Sequence, residues 1–81
     1  MANYKKNAEE IIKHLGGKDN IENAAHCVTR LRLTLKDKSE VDNDKLEAVE
    51  LVKGAFSSSG VYQVVIGAGD VDKVYAEFTQ L

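Results

Sequence analysis

The chain has 81 residues, enough for one domain around a modest core. Hydrophobic residues make up 43% and charged residues 30%, and the net charge is −2, which argues against a basic nucleic-acid or anionic-membrane binder. No apolar run approaches the roughly 18 to 20 residues of a bilayer span. The leading Met1-Ala2-Asn3-Tyr4-Lys5-Lys6 lacks a secretory apolar segment. One cysteine and two histidines build neither an internal disulfide nor a zinc site, so no metal or cofactor is expected and the compartment reads as reducing.

Ala8, Ile11, Ile12 and Leu15 repeat with the spacing of one helical face, which predicts a helix over residues 4–16 stopped by Gly16-Gly17. Residues 20–27 are ambiguous and are read as a short strand. Leu31, Leu33 and Leu35 alternate with Arg30, Arg32, Thr34 and Lys36, the pattern of a half-buried strand. Asp37 to Glu40 reads as polar loop. Asp42 is a candidate N-cap, with Val41 and Leu46 placed as a hydrophobic staple. Leu46, Val49 and Val52 predict a short helix ending near Gly54. Ala55-Phe56-Ser57 and Val61 to Ile66 read as strands joined through Ser58-Ser59-Gly60. After Gly67-Ala68-Gly69, Asp70 can cap a last helix whose face is Val71, Val74, Tyr75 and Phe78. The order α-β-β-α-β-β-α predicts an α+β fold. A four-stranded, mainly antiparallel sheet carries three helices on one face, and its other face, bearing Arg30 and Arg32, is open.

Cys27 is the one residue that reads as a nucleophile with suitable neighbours. A lone cysteine is most often a small buried hydrophobe. Here the segment Cys27-Val28-Thr29-Arg30-Leu31-Arg32 alters that expectation. The two arginines share a strand face, roughly 6.5 to 7 Å apart. Fixed positive charge favours the thiolate, the reactive form. Guanidinium forks match phosphate oxygens, and turn amides at Val28 and Thr29 with the Thr29 hydroxyl can form an anion nest. Together they point to a site for a phosphorylated cysteine. His26 either modulates the thiol as a neighbouring cation or ends the strand facing away from it. His14 lies off the apolar stripe and reads as a surface histidine. Gly67-Ala68-Gly69 lacks the lysine and hydroxyl of a phosphate loop and reads as a turn. Arg30, Arg32, Lys36 and Lys38 come without interleaved aromatics, so they read as a local anion site rather than a nucleic-acid stripe. The acidic cluster Glu40, Asp42, Asp44, Glu47 and Glu50 reads as a solvated surface.

The segment from Cys27 to Arg32 resembles the enzyme IIB domain of the bacterial phosphoenolpyruvate-dependent sugar phosphotransferase system, in its glucose/sucrose superfamily. Ile11-Ile12 through Leu15-Gly16-Gly17, Asn20-Ile21, Val52-Lys53-Gly54 and Tyr62 to Gly67 fall in the family's order. His26-Cys27 and the Gln63 segment are closest to the sucrose, trehalose and β-glucoside branches. Val61 departs from the glutamine often found there. The resemblance implies that Cys27 takes a phosphoryl group from a phosphohistidine on a IIA domain and passes it to a sugar held by a membrane IIC domain. Arg30 and Arg32 assist, Val28, Thr29 and Arg30 hold the phosphate, and no metal, cofactor or nucleic acid takes part. It also implies a single domain over residues 1–81, excised from a larger permease, at the cytoplasmic face of the bacterial membrane. Two other classes compete with this reading. One is a IIB-like module of a transcription regulator, in which phosphorylation of Cys27 is only a signal. The other is a structural domain with an inert, buried thiol.

Overall fold

Leu31, Leu33 and Leu35 are buried to 9% exposure or less, and everything else in the fold is arranged around that leucine row. In the computed structural model, which describes residues 3–81, the row lies on β2 (Arg30–Leu35). β1 (Ile21–His26) pairs antiparallel with β2, and β2 pairs antiparallel with β4 (Val61–Val65). β3 (Gly54–Ser58) closes the far edge, giving the order β1-β2-β4-β3. Register places Leu31 opposite Val64 and Leu33 opposite Tyr62, so these side chains share one face. That face is covered by α1 (Tyr4–His14), α2 (Asn43–Glu47) and α3 (Val71–Phe78). The predicted α+β architecture and element order both hold. Ile11, Leu15, Leu46, Val49, Val71, Val74 and Phe78 enter the core, and Ile12 and Tyr75 pack half-buried against it.

Local chemistry explains the boundaries. Asn3 caps α1 by accepting from the Lys6 amide. The helix ends at His14, two residues short of the predicted 16, because the chain turns through Leu15 and Gly16. Gly16 sits at φ +100, and the Gly17 amide reaches back 2.9 Å to the Ile12 carbonyl. A Cβ at Gly16 would stand 2.6 Å from that of Glu40, so the turn needs glycine twice over. Residues 18–20 form a 3-10 turn rather than the start of the strand. Its last residue, Asn20, is buried and donates to the carbonyls of Leu15 and Asp37 while accepting from the Asp37 amide. Residues 38–40, read as loop, form a second such turn capped by Asp37. Asp42 caps α2 as predicted, but α2 has only five residues, and Val49 and Val52 lie beyond it. Leu51 in the following turn has φ +78, which a continuing helix cannot accommodate. Ser59 and Gly60 take positive φ between β3 and β4, the geometry of a tight hairpin. Asp70 stands at the start of α3 without capping it. Its carboxylate instead accepts from the Tyr4 hydroxyl at 2.9 Å, tying α3 to α1.

Candidate functional site

β1 ends at His26 and β2 begins at Arg30, so Cys27, Val28 and Thr29 form the connection. Hydrogen bonds at both ends fix this loop. The Cys27 amide donates to the Arg30 carbonyl at 2.9 Å. The Thr29 carbonyl accepts from the amides of Ile66 and Gly67, each at 2.9 Å, which anchors the loop to the end of β4. His26 Nδ1 lies 3.1 Å from the Cys27 carbonyl oxygen. The amides of Val28 and Thr29 donate to no backbone carbonyl among the described residues. The loop therefore turns both amides toward its crest, that of Thr29 onto the Cys27 thiol, as an anion nest requires.

Cys27 is exposed at this crest, so its thiol is not a buried core side chain. Its pKa is held below the ordinary thiol value, first by the amide of Thr29. Desolvation opposes this as the next largest effect, and the amide of Arg30 and then the charges of Arg30 and Arg32 add to the lowering. Sequence reasoning gave the arginines the leading electrostatic role; the turn amide leads instead, because it is part of the same tight loop.

Arg30 and Arg32 share the open face of the sheet, as their alternation with the buried leucines predicts. Arg30 is not free. Its Nη1 donates to Gln63 Oε1 at 2.7 Å, and its guanidinium lies 5.9 Å from the centroid of the Phe56 ring. Gln63 on β4 sits between Arg32 and Phe56 in register, on the open face, yet is only 6% exposed. Sequence reasoning did not assign Gln63 or Phe56 a place in the site, because both arrive from strands distant along the chain. The signal available was a polar residue inside the apolar run Tyr62 to Ile66. Val28 is 75% exposed, an apolar side chain at the loop crest.

His26 pairs with Leu31, which turns it to the helical face. There its ring lies 4.5 Å from that of Tyr75 on α3. Of its two predicted settings, the structure takes the one facing away, and its hydrogen bond goes to the Cys27 carbonyl. The Gly67-Ala68-Gly69 segment is a turn, with Gly67 accepting from the amides of Asp70 and Val71. The acidic cluster from Glu40 to Glu50 is exposed, and His14 is half-buried rather than fully solvated.

Residues 9–42 match the family described as phosphotransferase system, EIIB. The chain is 53% identical over 79 residues to a sucrose-specific EIIBC component of Staphylococcus xylosus, and covers 16% of that protein. It is 50% identical over 80 residues to a trehalose-specific EIIBC component of Bacillus subtilis, and covers 17% of it. It thus spans about a sixth of the length of these curated relatives. A crystal structure of one domain of the PTS system IIabc component from Clostridium difficile is 46% identical, with a TM-score of 0.93 over 99% of this chain and 86% of that one. The matched segment contains the loop from Cys27 to Arg32, and the solved domain reproduces the fold from end to end. The chain belongs to the EIIB family of the phosphotransferase system.

Proposed function

We propose that Cys27 is a phosphoryl carrier, acting between a phosphohistidine on an EIIA domain and a sugar held by a membrane EIIC domain. The observation that carries this reading is the exposed Cys27 thiol, with the Thr29 and Arg30 amides and two arginines favouring its anionic form. In the first step Sγ attacks phosphorus. The S–P bond forms, the P–N bond breaks, and the histidine leaves as neutral imidazole once protonated. In the second step a sugar hydroxyl attacks the same phosphorus. The O–P bond forms, the S–P bond breaks, and Sγ leaves as thiolate while the hydroxyl proton is released. A thiol of pKa about 8.5 is a much better leaving group than a sugar alkoxide, so the second transfer runs downhill.

Such transfers need alignment and charge stabilisation more than covalent assistance. The amide of Val28, and that of Thr29 beside the thiol, can donate to the equatorial oxygens of the phosphoryl group, with Arg30 and Arg32 beside them. No helix among the described residues is long and apolar enough to cross a membrane. The relatives' names join EIIB to EIIC in one chain, and this supports a domain of a longer permease working at the cytoplasmic face of the membrane. Those names make sucrose and trehalose the first sugars to test.

The test uses EIIA carrying radiolabelled phosphohistidine. Wild-type protein takes up label, Cys27→Ser takes none, and EIIC membranes with sucrose or trehalose move the label into sugar phosphate. Equal labelling of Cys27→Ser would overturn the assignment.

A further inference from the structure

We propose that Tyr75 and His26 form a strut that sets the peptide plane between Cys27 and Val28, which makes His26 a positioning residue for the phosphoryl-accepting loop. The proposal rests on the phosphocarrier reading of Cys27.

Tyr75 on α3 is half-buried, and its hydroxyl donates to the carbonyl of Ala24 at 3.1 Å. That contact pins the ring to β1 two residues before His26, on the same side of the strand. The His26 ring rests on it at a 50° tilt. His26 Nδ1 stands 3.1 Å from the Cys27 carbonyl oxygen. A carbonyl only accepts, so the proton of that bond sits on Nδ1. The helix layer thereby holds the Cys27 carbonyl through two side chains.

Holding that carbonyl has a consequence at the next amide. In a trans peptide the N–H points opposite to the C=O of the preceding residue. Fixing the Cys27 carbonyl on the helical side therefore turns the Val28 N–H away from it. The other restraints on the loop act elsewhere: the Cys27 amide on Arg30, the amides of Thr29 and Arg30 on the thiol, and the Thr29 carbonyl on Ile66 and Gly67. The Val28 side chain is 75% exposed and offers no packing to hold the peptide. The His26 bond is the contact that restrains this plane. A flipped peptide would present the Cys27 carbonyl where the amide now stands, a dipole of the wrong sign beside an arriving phosphoryl group.

Two substitutions separate the parts of the strut. His26→Phe keeps a ring against Tyr75 and loses the donor. His26→Asn loses the ring and keeps an amide donor within reach of the same carbonyl. The readouts are single-turnover acceptance of phosphate from phospho-EIIA, and the amide resonance of Val28 in a proton–nitrogen correlation spectrum. His26→Phe is expected to slow acceptance about five- to tenfold, the factor equivalent to one hydrogen bond, and to shift the Val28 resonance. His26→Asn, which keeps the donor without the ring support, is expected to recover part of both and to fall between His26→Phe and wild type. Equal loss of acceptance in both variants with the Val28 resonance unmoved would mean that the imidazole acts by moving a proton, and would overturn the strut. So would a His26→Phe protein that behaves as wild type. Should His26→Phe fail to fold, Tyr75→Leu removes the supporting ring and is read in the same way. The Val28 resonance needs no phosphoryl donor. If wild-type protein takes no label while that resonance follows the expected pattern, the carrier reading fails and the strut stands. If label transfers normally and the resonance ignores every variant, the strut fails and the carrier reading stands.

Discussion

At Cys27 the thiolate is favoured first by the amide of Thr29, then by the amide of Arg30, and after these by the charges of Arg30 and Arg32. That order has a measurable consequence. The rate of iodoacetamide alkylation against pH should give an apparent pKa below the ordinary value of about 8.5. Arg30→Gln and Arg32→Gln should each raise it, and more at low salt than at high salt, since exposed charges are screened. The double variant should still titrate below about 8.5, because both amides remain. A double variant at or above that value would return the leading role to the arginines. The sign of the linked stability follows. A thiol whose pKa is lowered by folding stabilises the fold above its unfolded pKa, and that contribution fades as pH falls through the folded value. The segment from Cys27 to Arg32 is legible in the sequence because its chemistry is local: nucleophile, turn and arginines lie within six consecutive residues. The grip of Gln63 and Phe56 on Arg30 is not, because strand pairing alone brings them there.

Among the elements, β2 is the most legible, since a period of two puts three leucines in and two arginines out. Leu33 has no exposed surface, so Leu33→Ala should cost roughly 2 to 5 kcal/mol in chemical denaturation. Arg32→Ala on the opposite face should change stability by less than about 0.5 kcal/mol. Comparable losses at both positions would contradict the facing of the strand. α2 is shorter than its sequence predicts because Leu46, Val49 and Val52 keep a helical spacing through turns that are not helix. Spacing reports which side chains face the core, not the backbone that presents them. Asp70 shows a different failure. Its position satisfies the local rule for a cap, but the hydroxyl of Tyr4, 66 residues earlier, takes the carboxylate. His26 likewise follows strand alternation, while the ring it rests on comes 49 residues later.

Over the whole molecule, folding divides labour between the two faces of one sheet. The helical face holds the core, and through Tyr75 and His26 it also reaches the back of the Cys27 loop. The open face gathers Arg30, Arg32, Gln63 and the partly exposed Phe56 beside the loop crest, where Val28 projects. A carrier has to meet a donor and an acceptor in turn at one atom, which suits a sulfur on an exposed crest better than one in a cleft. In the proposed reaction this sulfur bears the phosphoryl group. The most direct measurement is peptide-level mass spectrometry of the protein after incubation with phospho-EIIA, under conditions that preserve phosphocysteine. The predicted result is one added phosphoryl group on the peptide holding Cys27, assigned by fragmentation to that residue and lost when EIIC membranes and sugar are added. A phosphoryl group found on His26 or His14, or none on the Cys27 peptide, would contradict it.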